Sequence, residues 1–453
     1  MFSYRLYRFA SWLRYIVPRR FTPAGLLALA LLVCTGALGA EMDQTLAHQL
    51  FALVLAATGV AMVSVNFFRG RFIVRRVLPR FGSVAEPLSY HVVVRNDSPR
   101  DFAGLEVLEE LADPRPTRAE FQRRRAGVLP AVLRRLKRGR RRAEPETQRT
   151  GSPNVRLHTS AATPLPPLRS RAEASARLEL TPLRRGVLRF QAVIVARPDP
   201  LGFVRAFRRQ PLPQTVLVLP KRYPLPHITL PGPRTYQRGG VAMASAIGES
   251  EEFVSLRDYR PGDPLRHVHW RSWARHGRPI VKEFQDEFLV RHALVLDTFA
   301  DTSNSAAFEE AVSVAASFVC TVDTQENLLD LLFAGTRAIC VTTGRGVAQA
   351  EQALEALAAV QPVADGNFET LEEFVLRHSG AVCGCVCVLL DWDEPRRRLV
   401  RKLQARGLPV VVLLIAPASG DANGAITGRT EHFHVLKPGT IAADLQRFAA
   451  TLS

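Results

Sequence analysis

The chain has 453 residues, 47% of them hydrophobic and 23% charged, so it can bury more than one core and is not a disordered polymer. Its 60 Lys and Arg against 42 Asp and Glu leave a formal charge of +18, which suits contact with anionic lipid or nucleic acid without choosing between them. The six cysteines, Cys34, Cys320, Cys340, Cys383, Cys385 and Cys387, are too few and too clustered for a disulfide framework; reduced thiols in a cytoplasmic domain are the simpler reading.

Two charge-free stretches, Phe21 to Ala40 and Leu50 to Phe68, have the length of transmembrane helices. A helix needs about 20 apolar residues to cross a bilayer, because lipid offers nothing to an open backbone. Arg5, Arg8, Arg14, Arg19 and Arg20 precede the first stretch, and Arg69, Arg71, Arg75, Arg76 and Arg80 follow the second. The loop between them carries Glu41 and Asp43 and no basic residue. The positive-inside rule then places both ends of the hairpin, and everything after it, in the cytoplasm. Tyr4, Tyr7, Trp12 and Tyr15 fit an interfacial belt ahead of the first span. A signal peptide ending near Gly39 or Ala40 is the competing reading; the second span close behind argues against it.

From Val84 to about Pro220, short alternating runs are broken by turn residues, as in Leu88–Arg95, Ala176–Leu180, Gly186–Val195 and Gln214–Pro220. This pattern predicts an antiparallel β-sandwich or open barrel within residues 84–235, the spans occupying 1–83. An insertion at about 114–167 interrupts it. Between Arg115 and Arg149 it holds thirteen basic and three acidic residues, with Arg123, Arg124, Arg125 and Arg140, Arg141, Arg142 as its densest runs. A solvated loop and a patch lying on anionic lipid both explain that charge. Nucleic acid explains it less well, for no zinc-finger, helix-turn-helix or RNA-binding aromatic pattern accompanies it.

Residues 291–453 alternate strands and helices. Strands are predicted at 293–297, 328–333, 337–341, 381–390, 409–416 and 433–436, and helices at 308–322, 347–359, 368–378, 394–406 and 441–450. Such alternation predicts a parallel, Rossmann-like sheet covered on both faces, with binding loops at the strand C-termini. The whole chain is thus an α+β multidomain membrane protein. Cys383, Cys385 and Cys387 alternate on one predicted strand, where small buried side chains are expected rather than a metal site, and His267-x-His269 alone is weak support for one.

Between the two soluble domains, at 236–290, lies a segment of neither pattern. It contains Leu256-Arg-Asp-Tyr-Arg-Pro-Gly-Asp263 and then Trp270 and Trp273 among Arg266, Arg271 and Arg275. Arg260-Pro-Gly-Asp263 is a turn, with Pro fixing φ and Gly accepting a positive one. The run LRDYRPGDPLRHVHWRSWARHGRPIVKEF resembles the signature of the bacterial family known as domain of unknown function 58. Phe253, Leu256, Arg257, Tyr259, Gly262, Asp263, Arg266, Trp270, Ala274 and Arg275 match its pattern, with Val268 where Ile is usual. Arg185-Gly186 and Asp199-Pro-Leu-Gly-Phe203 resemble a second element of the same family.

The resemblance implies a C-terminal domain similar to von Willebrand factor A domains, a place in the bacterial inner membrane, and association with MoxR-type AAA+ ATPases as an adaptor rather than an enzyme. It directs attention to Arg257, Tyr259, Asp263, Arg266, Trp270, Trp273 and Arg275, as partner-binding or domain-locking residues. Von Willebrand factor A domains often hold a divalent cation through Asp-x-Ser-x-Ser; here the run is Asp297-Thr-Phe-Ala-Asp301, which keeps the first Asp and loses both serines. Asp297, Asp301 and Asp391 are the residual metal candidates, and no cofactor is otherwise implied. No P-loop, nucleophile elbow or zincin motif occurs. A metal-dependent enzyme acting at the membrane, and tethered nucleic-acid binding through the Arg-rich insertion, remain as alternatives.

Overall fold

The computed structural model describes residues 2–38, 45–112, 155–156, 162–226, 253–263, 265–284, 290–300, 306–321, 327–335, 337–344, 347–363, 367–415 and 432–452. The densest arginine runs of the insertion, Glu41 and Asp43, and Asp301 lie outside these residues. The chain divides into two compact units, Met1–Lys221 and Arg222–Ser453.

The first unit opens with helix α1 (Phe2–Arg20), followed by the apolar helices α2 (Pro23–Leu38) and α3 (Thr45–Ser64), which pack against each other. Two spans are predicted, and among the described residues one helical stretch, Leu46–Phe67, is long and apolar enough to cross a membrane, with a mean hydropathy of 2.1. Helix α2 is as apolar but has 16 residues, about 24 Å of helix against a hydrocarbon core of about 30 Å.

The start of α2 is held by the strands that follow. They are β1 (Phe72–Val77), β2 (Phe81–Ser83), β3 (Leu88–Asn96), β4 (Glu106–Leu111), β5 (Val155–Arg156), β6 (Thr163–Pro164), β7 (Glu173–Pro182), β8 (Gly186–Pro198) and β9 (Arg205–Leu219). Asp199, in the turn from β8 to β9, accepts from the backbone N–H groups of Leu201 at 2.9 Å and of Phe203 and Val204 at 2.6 Å. The turn thereby presents its carbonyls to the chain's start: Thr22 donates its N–H to Phe203 O at 3.0 Å and its hydroxyl to Gly202 O. The same hydroxyl accepts from Gly25 N at 3.0 Å, so Thr22 caps α2. Only glycine fits at position 25, where a Cβ would stand 2.0 Å from Phe203 O. Arg205 completes the joint, donating to Phe21 O at 3.0 Å and to Glu106 Oε2 at 2.6 Å. The Asp-Pro-Leu-Gly-Phe element is thus the seat of the first apolar helix.

Strands β1-β3-β7-β5 form one sheet and β2-β9-β8-β4-β6 another. Alternation puts Tyr90, Val92 and Val94 of β3, Leu178 and Leu180 of β7 and Phe190, Val193 and Val195 of β8 into one shared core, the two-layer arrangement the pattern predicts. Two boundaries differ from those read in the sequence. Residues 72–83, assigned to the membrane segment, supply β1 and β2, and the sandwich resumes by Thr163, where Leu165 and Leu168 are buried, before the expected end of the insertion at 167.

Arg76 is correspondingly not a charge facing a membrane surface. It lies in the core, its side chain fully covered, with Nε 3.0 Å from Glu109 Oε1 and Nη2 2.7 Å from Oε2. Nη1 donates to Leu212 O and Gln214 Oε1 at 3.0 Å, and the guanidinium lies 4.6 Å from the Phe190 ring centre. Arg19 is likewise buried, donating to Glu109 O. Arg19 and Arg76, read as flanks of the spans, are therefore framework residues.

The second unit carries a hairpin, β10 (Phe253–Asp258) with β11 (Ile280–Phe284), around a short helix α4 (Trp270–His276). Its main sheet comprises β12 (Val290–Leu296), β13 (Asn327–Ala334), β14 (Ala338–Thr343), β15 (Gly384–Leu389), β16 (Val410–Ile415) and β17 (Phe433–Leu436), ordered β14-β13-β12-β15-β16-β17. Four pairings are parallel, but β14 runs antiparallel to β13 because three residues join them, too few for a crossover. The expected all-parallel sheet is thus mixed at one edge. Helices α5 (Ala306–Thr321), α6 (Val347–Ala359), α7 (Phe368–His378), α8 (Glu394–Ala405) and α9 (Ile441–Leu452) cover it. Leu371, Val375, Leu399 and Leu403 pack with Val295, Cys385, Cys387 and Val412 on one face. Phe318 of α5 and Phe448 of α9 meet at 6.1 Å elsewhere in the unit. Cys385 and Cys387 are buried thiols 3.6 Å apart, core residues as their spacing predicts.

Breaking a buried ion pair from one side leaves an uncompensated charge, which costs about 3–5 kcal/mol. Glu109→Ala is expected to destabilise the first unit by that order, and Arg76→Met with Glu109→Leu to lose much less. Thermal melting of the detergent-solubilised chain distinguishes the two.

Candidate functional site

Two places in the second unit concentrate chemistry: the hairpin lobe carrying the signature, and the carboxyl edge of the sheet at the end of β12.

In the lobe, β10 and β11 pair with Arg257 opposite Val281 and Asp258 opposite Ile280. The 21 residues between them are held by short-range bonds. Tyr259 N donates to Pro279 O at 3.0 Å, and His269 N to Ile280 O at 2.8 Å, while Val268, Ile280 and Val281 form a small buried nucleus. The predicted turn is present: Asp263 N donates to Arg260 O at 3.0 Å, and Gly262 takes φ 106°, a conformation other residues rarely adopt. Asp263 closes it, accepting from Arg257 Nη1 at 2.7 Å and Nη2 at 2.8 Å, and from Arg260 N at 2.8 Å. These donors, Arg257 foremost, pull the Asp263 carboxyl down to about 2.

The signature residues therefore separate into two groups. Arg257 and Asp263 face each other, and Tyr259 ties its backbone to β11's approach; these shape the lobe. Arg266, Trp270 and Arg275 point outward. Trp270 is 62% exposed and stacks on the half-buried Trp273, with ring centres 5.2 Å apart and planes within 16°. Arg266, Arg271 and Arg275, close by in the sequence, are exposed as well, and Leu256 and Leu265 are exposed apolar residues of the same lobe. Sequence spacing alone puts Trp270 and Trp273 one turn apart; it does not say which of them meets solvent. An exposed aromatic pair with exposed arginines close by in the sequence has the composition of a protein-binding hot spot, where rings take apolar side chains and guanidinium groups take carboxylates.

At the sheet edge, Asp297 follows β12 and is wholly buried. Its Oδ1 accepts from Phe299 N at 3.0 Å; its Oδ2 accepts from Leu390 N at 3.1 Å and from Arg396 Nε at 2.6 Å. Burial pushes the carboxyl above its ordinary value, and Arg396 opposes that push. Arg396 also donates through Nη1 to Asp393 Oδ2 at 2.6 Å and through Nη2 to Phe299 O at 3.3 Å, and it lies 5.0 Å from the Phe368 ring centre. Asp391 is exposed and accepts from Trp392 N at 2.7 Å. Among the described residues no three His, Cys, Asp or Glu side chains converge as a metal cluster would require. Arg396 is the residue sequence reading missed; its position three after Asp393, at the start of a helix, was the available signal.

Residues 255–417 match the family described as "Protein of unknown function DUF58". The DUF58 resemblance is supported. A stretch of 148 residues is 32% identical to the "Uncharacterized protein YeaD" of Bacillus subtilis (strain 168), covering 32% of this chain and 35% of that relative. The matching stretch thus spans about a third of the relative's length. Among solved structures, manganese-loaded TRAP protein of Plasmodium vivax aligns with a TM-score of 0.27 at 10% identity, over 36% of this chain and 73% of that one. The DUF58 match begins inside β10 and ends just after β16, so it contains both the tryptophan plate and the Asp297–Arg396 pair.

Because the folded carboxyl of Asp263 lies near 2 against an ordinary value of 3.8, its bonds to Arg257 stabilise the lobe fully above about pH 4 and are lost as pH falls toward 2. Tryptophan fluorescence, in a chain with Trp12 and Trp392 replaced by Phe, is expected to report an acid transition in that window. Asp263→Asn is expected to abolish the pH dependence; an unchanged transition would contradict this role.

Proposed function

We propose that the chain is a membrane-tethered, non-enzymatic adaptor whose signature lobe captures a cytoplasmic protein partner, a MoxR-type AAA+ ATPase being the expected class. The observation that carries this reading is the Trp270–Trp273 stack, with Trp270 exposed, in a lobe where Arg266, Arg271 and Arg275 are exposed too. Exposed tryptophan is costly to leave in water, and tryptophan with arginine is the composition that dominates binding energy where partners meet. The tether is α3 paired with α2, and α2 is seated on the β8–β9 turn, so that almost no free chain separates the apolar helices from the sandwich. In this reading both helices cross the bacterial inner membrane as a hairpin, with the soluble units in the cytoplasm. The Arg-rich insertion then lies near anionic headgroups, worth about 1 kcal/mol per basic residue close to the surface.

The test uses the full-length chain in nanodiscs and a MoxR-type ATPase from the same cell. Trp270→Ala with Trp273→Ala is expected to weaken capture at least about tenfold, as is Arg266→Glu, with melting unchanged for the charge variant. Capture at wild-type affinity by both variants would refute the lobe as the binding surface. Loss of melting in step with loss of capture would show that the lobe serves folding instead.

A further inference from the structure

The edge where β12 and β15 leave the sheet is the point at which the connections diverge to opposite sides, since β12 leads to β13 on one flank and β15 to β16 on the other. In doubly wound sheets this crevice is the place where ligands bind. It is also the edge at which similarity to von Willebrand factor A domains would put a divalent cation. The residues here do not fit one. Phe299 offers a ring where the pattern requires a hydroxyl. The carboxylate of Asp297 is satisfied by two backbone N–H groups and a guanidinium, with Arg396 Nε 2.6 Å from Oδ2. A dication placed against that oxygen would meet a fixed positive charge at van der Waals distance.

We propose that Arg396 is a built-in cation: its guanidinium permanently supplies the positive charge that a divalent ion would bring, so this edge is ordered without metal. Three features support it. All three nitrogens of the guanidinium are used, one each by Asp297, Asp393 and Phe299 O. The side chain is 8% exposed and so is held by the fold rather than by solvent. Its partners come from two separate stretches, residues 297–299 just after β12 and the start of α8, which the guanidinium draws together. Arg396 is thus a positioning residue: it sets the loops bearing Asp391 and Trp392 in one arrangement regardless of the divalent ion concentration around them. A guanidinium suits this task because its planar fork bonds carboxylates along fixed directions, where an exchangeable ion would leave the edge dependent on supply.

The test reads melting and metal binding together on the full chain in detergent. A ligand at roughly a hundredfold excess over its Kd raises melting by several degrees, so the wild-type chain should melt alike in EDTA and in excess Mn²⁺, with all the Mn²⁺ free by electron paramagnetic resonance. Arg396→Gly should melt lower, and low-millimolar methylguanidinium should restore part of the loss in that variant and none in the wild type. Should the glycine variant not fold, Arg396→Lys carries the same test: a lower melting temperature with no manganese bound upholds the proposal. Manganese bound by the wild-type chain, or either variant melting as the wild type does, overturns it.

Discussion

Asp297 ends the central strand of the second unit with its carboxylate fully inside the protein, and a charge in that position is tolerable only if it is met completely. The isolated cost of burying such a group is several kcal/mol, and here Arg396 and the N–H groups of Phe299 and Leu390 meet it. Because those donors belong to different stretches of chain, satisfying one carboxylate also fixes the loop after β12, the loop after β15 and the start of α8. The carboxyl edge of the sheet takes its form from this single requirement.

The same physics recurs twice more, once in a core and once at the surface. Arg76 and Glu109 join the two layers of the sandwich in its interior, where Arg76 also reaches Leu212 O and Gln214. Arg257 and Asp263 close a turn at the protein surface, and the carboxyl of Asp263 is held low by its bonds rather than raised by burial. A chain with this excess of arginine therefore uses part of it as internal fastening. Other arginines, Arg266, Arg271 and Arg275 among them, are exposed in the lobe that carries the Trp270–Trp273 stack.

The joint between the apolar helices and the sandwich is direct. Asp199 organises a five-residue turn whose carbonyls receive Thr22, and Gly25 lets the helix approach until backbone meets backbone. A joint of this kind restricts the orientation of the sandwich against the apolar helices far more than a flexible linker would.

The order of elements was legible in the sequence because it is written in local patterns. The helices 347–359 and 368–378 were readable to the residue from 3.6-residue periodicity, and the strands of the second unit from short apolar runs. The turn at 260–263 followed from Pro-Gly-Asp, and the importance of the signature from its cluster of Trp and Arg. Tertiary structure alone decided which charges face inward. Arg76 and Arg19 read as membrane flanks, and Asp297 as a remnant ligand, because a sequence shows a charge without its partner. Glu109 is 33 residues from Arg76, and Arg396 is 99 from Asp297. Pairing over such separations depends on how strands are ordered in a sheet, which no local pattern records. For that reason the sequence marked Trp270 and Asp297 as residues of consequence, while the folded chain turned one outward to solvent and closed the other with a guanidinium.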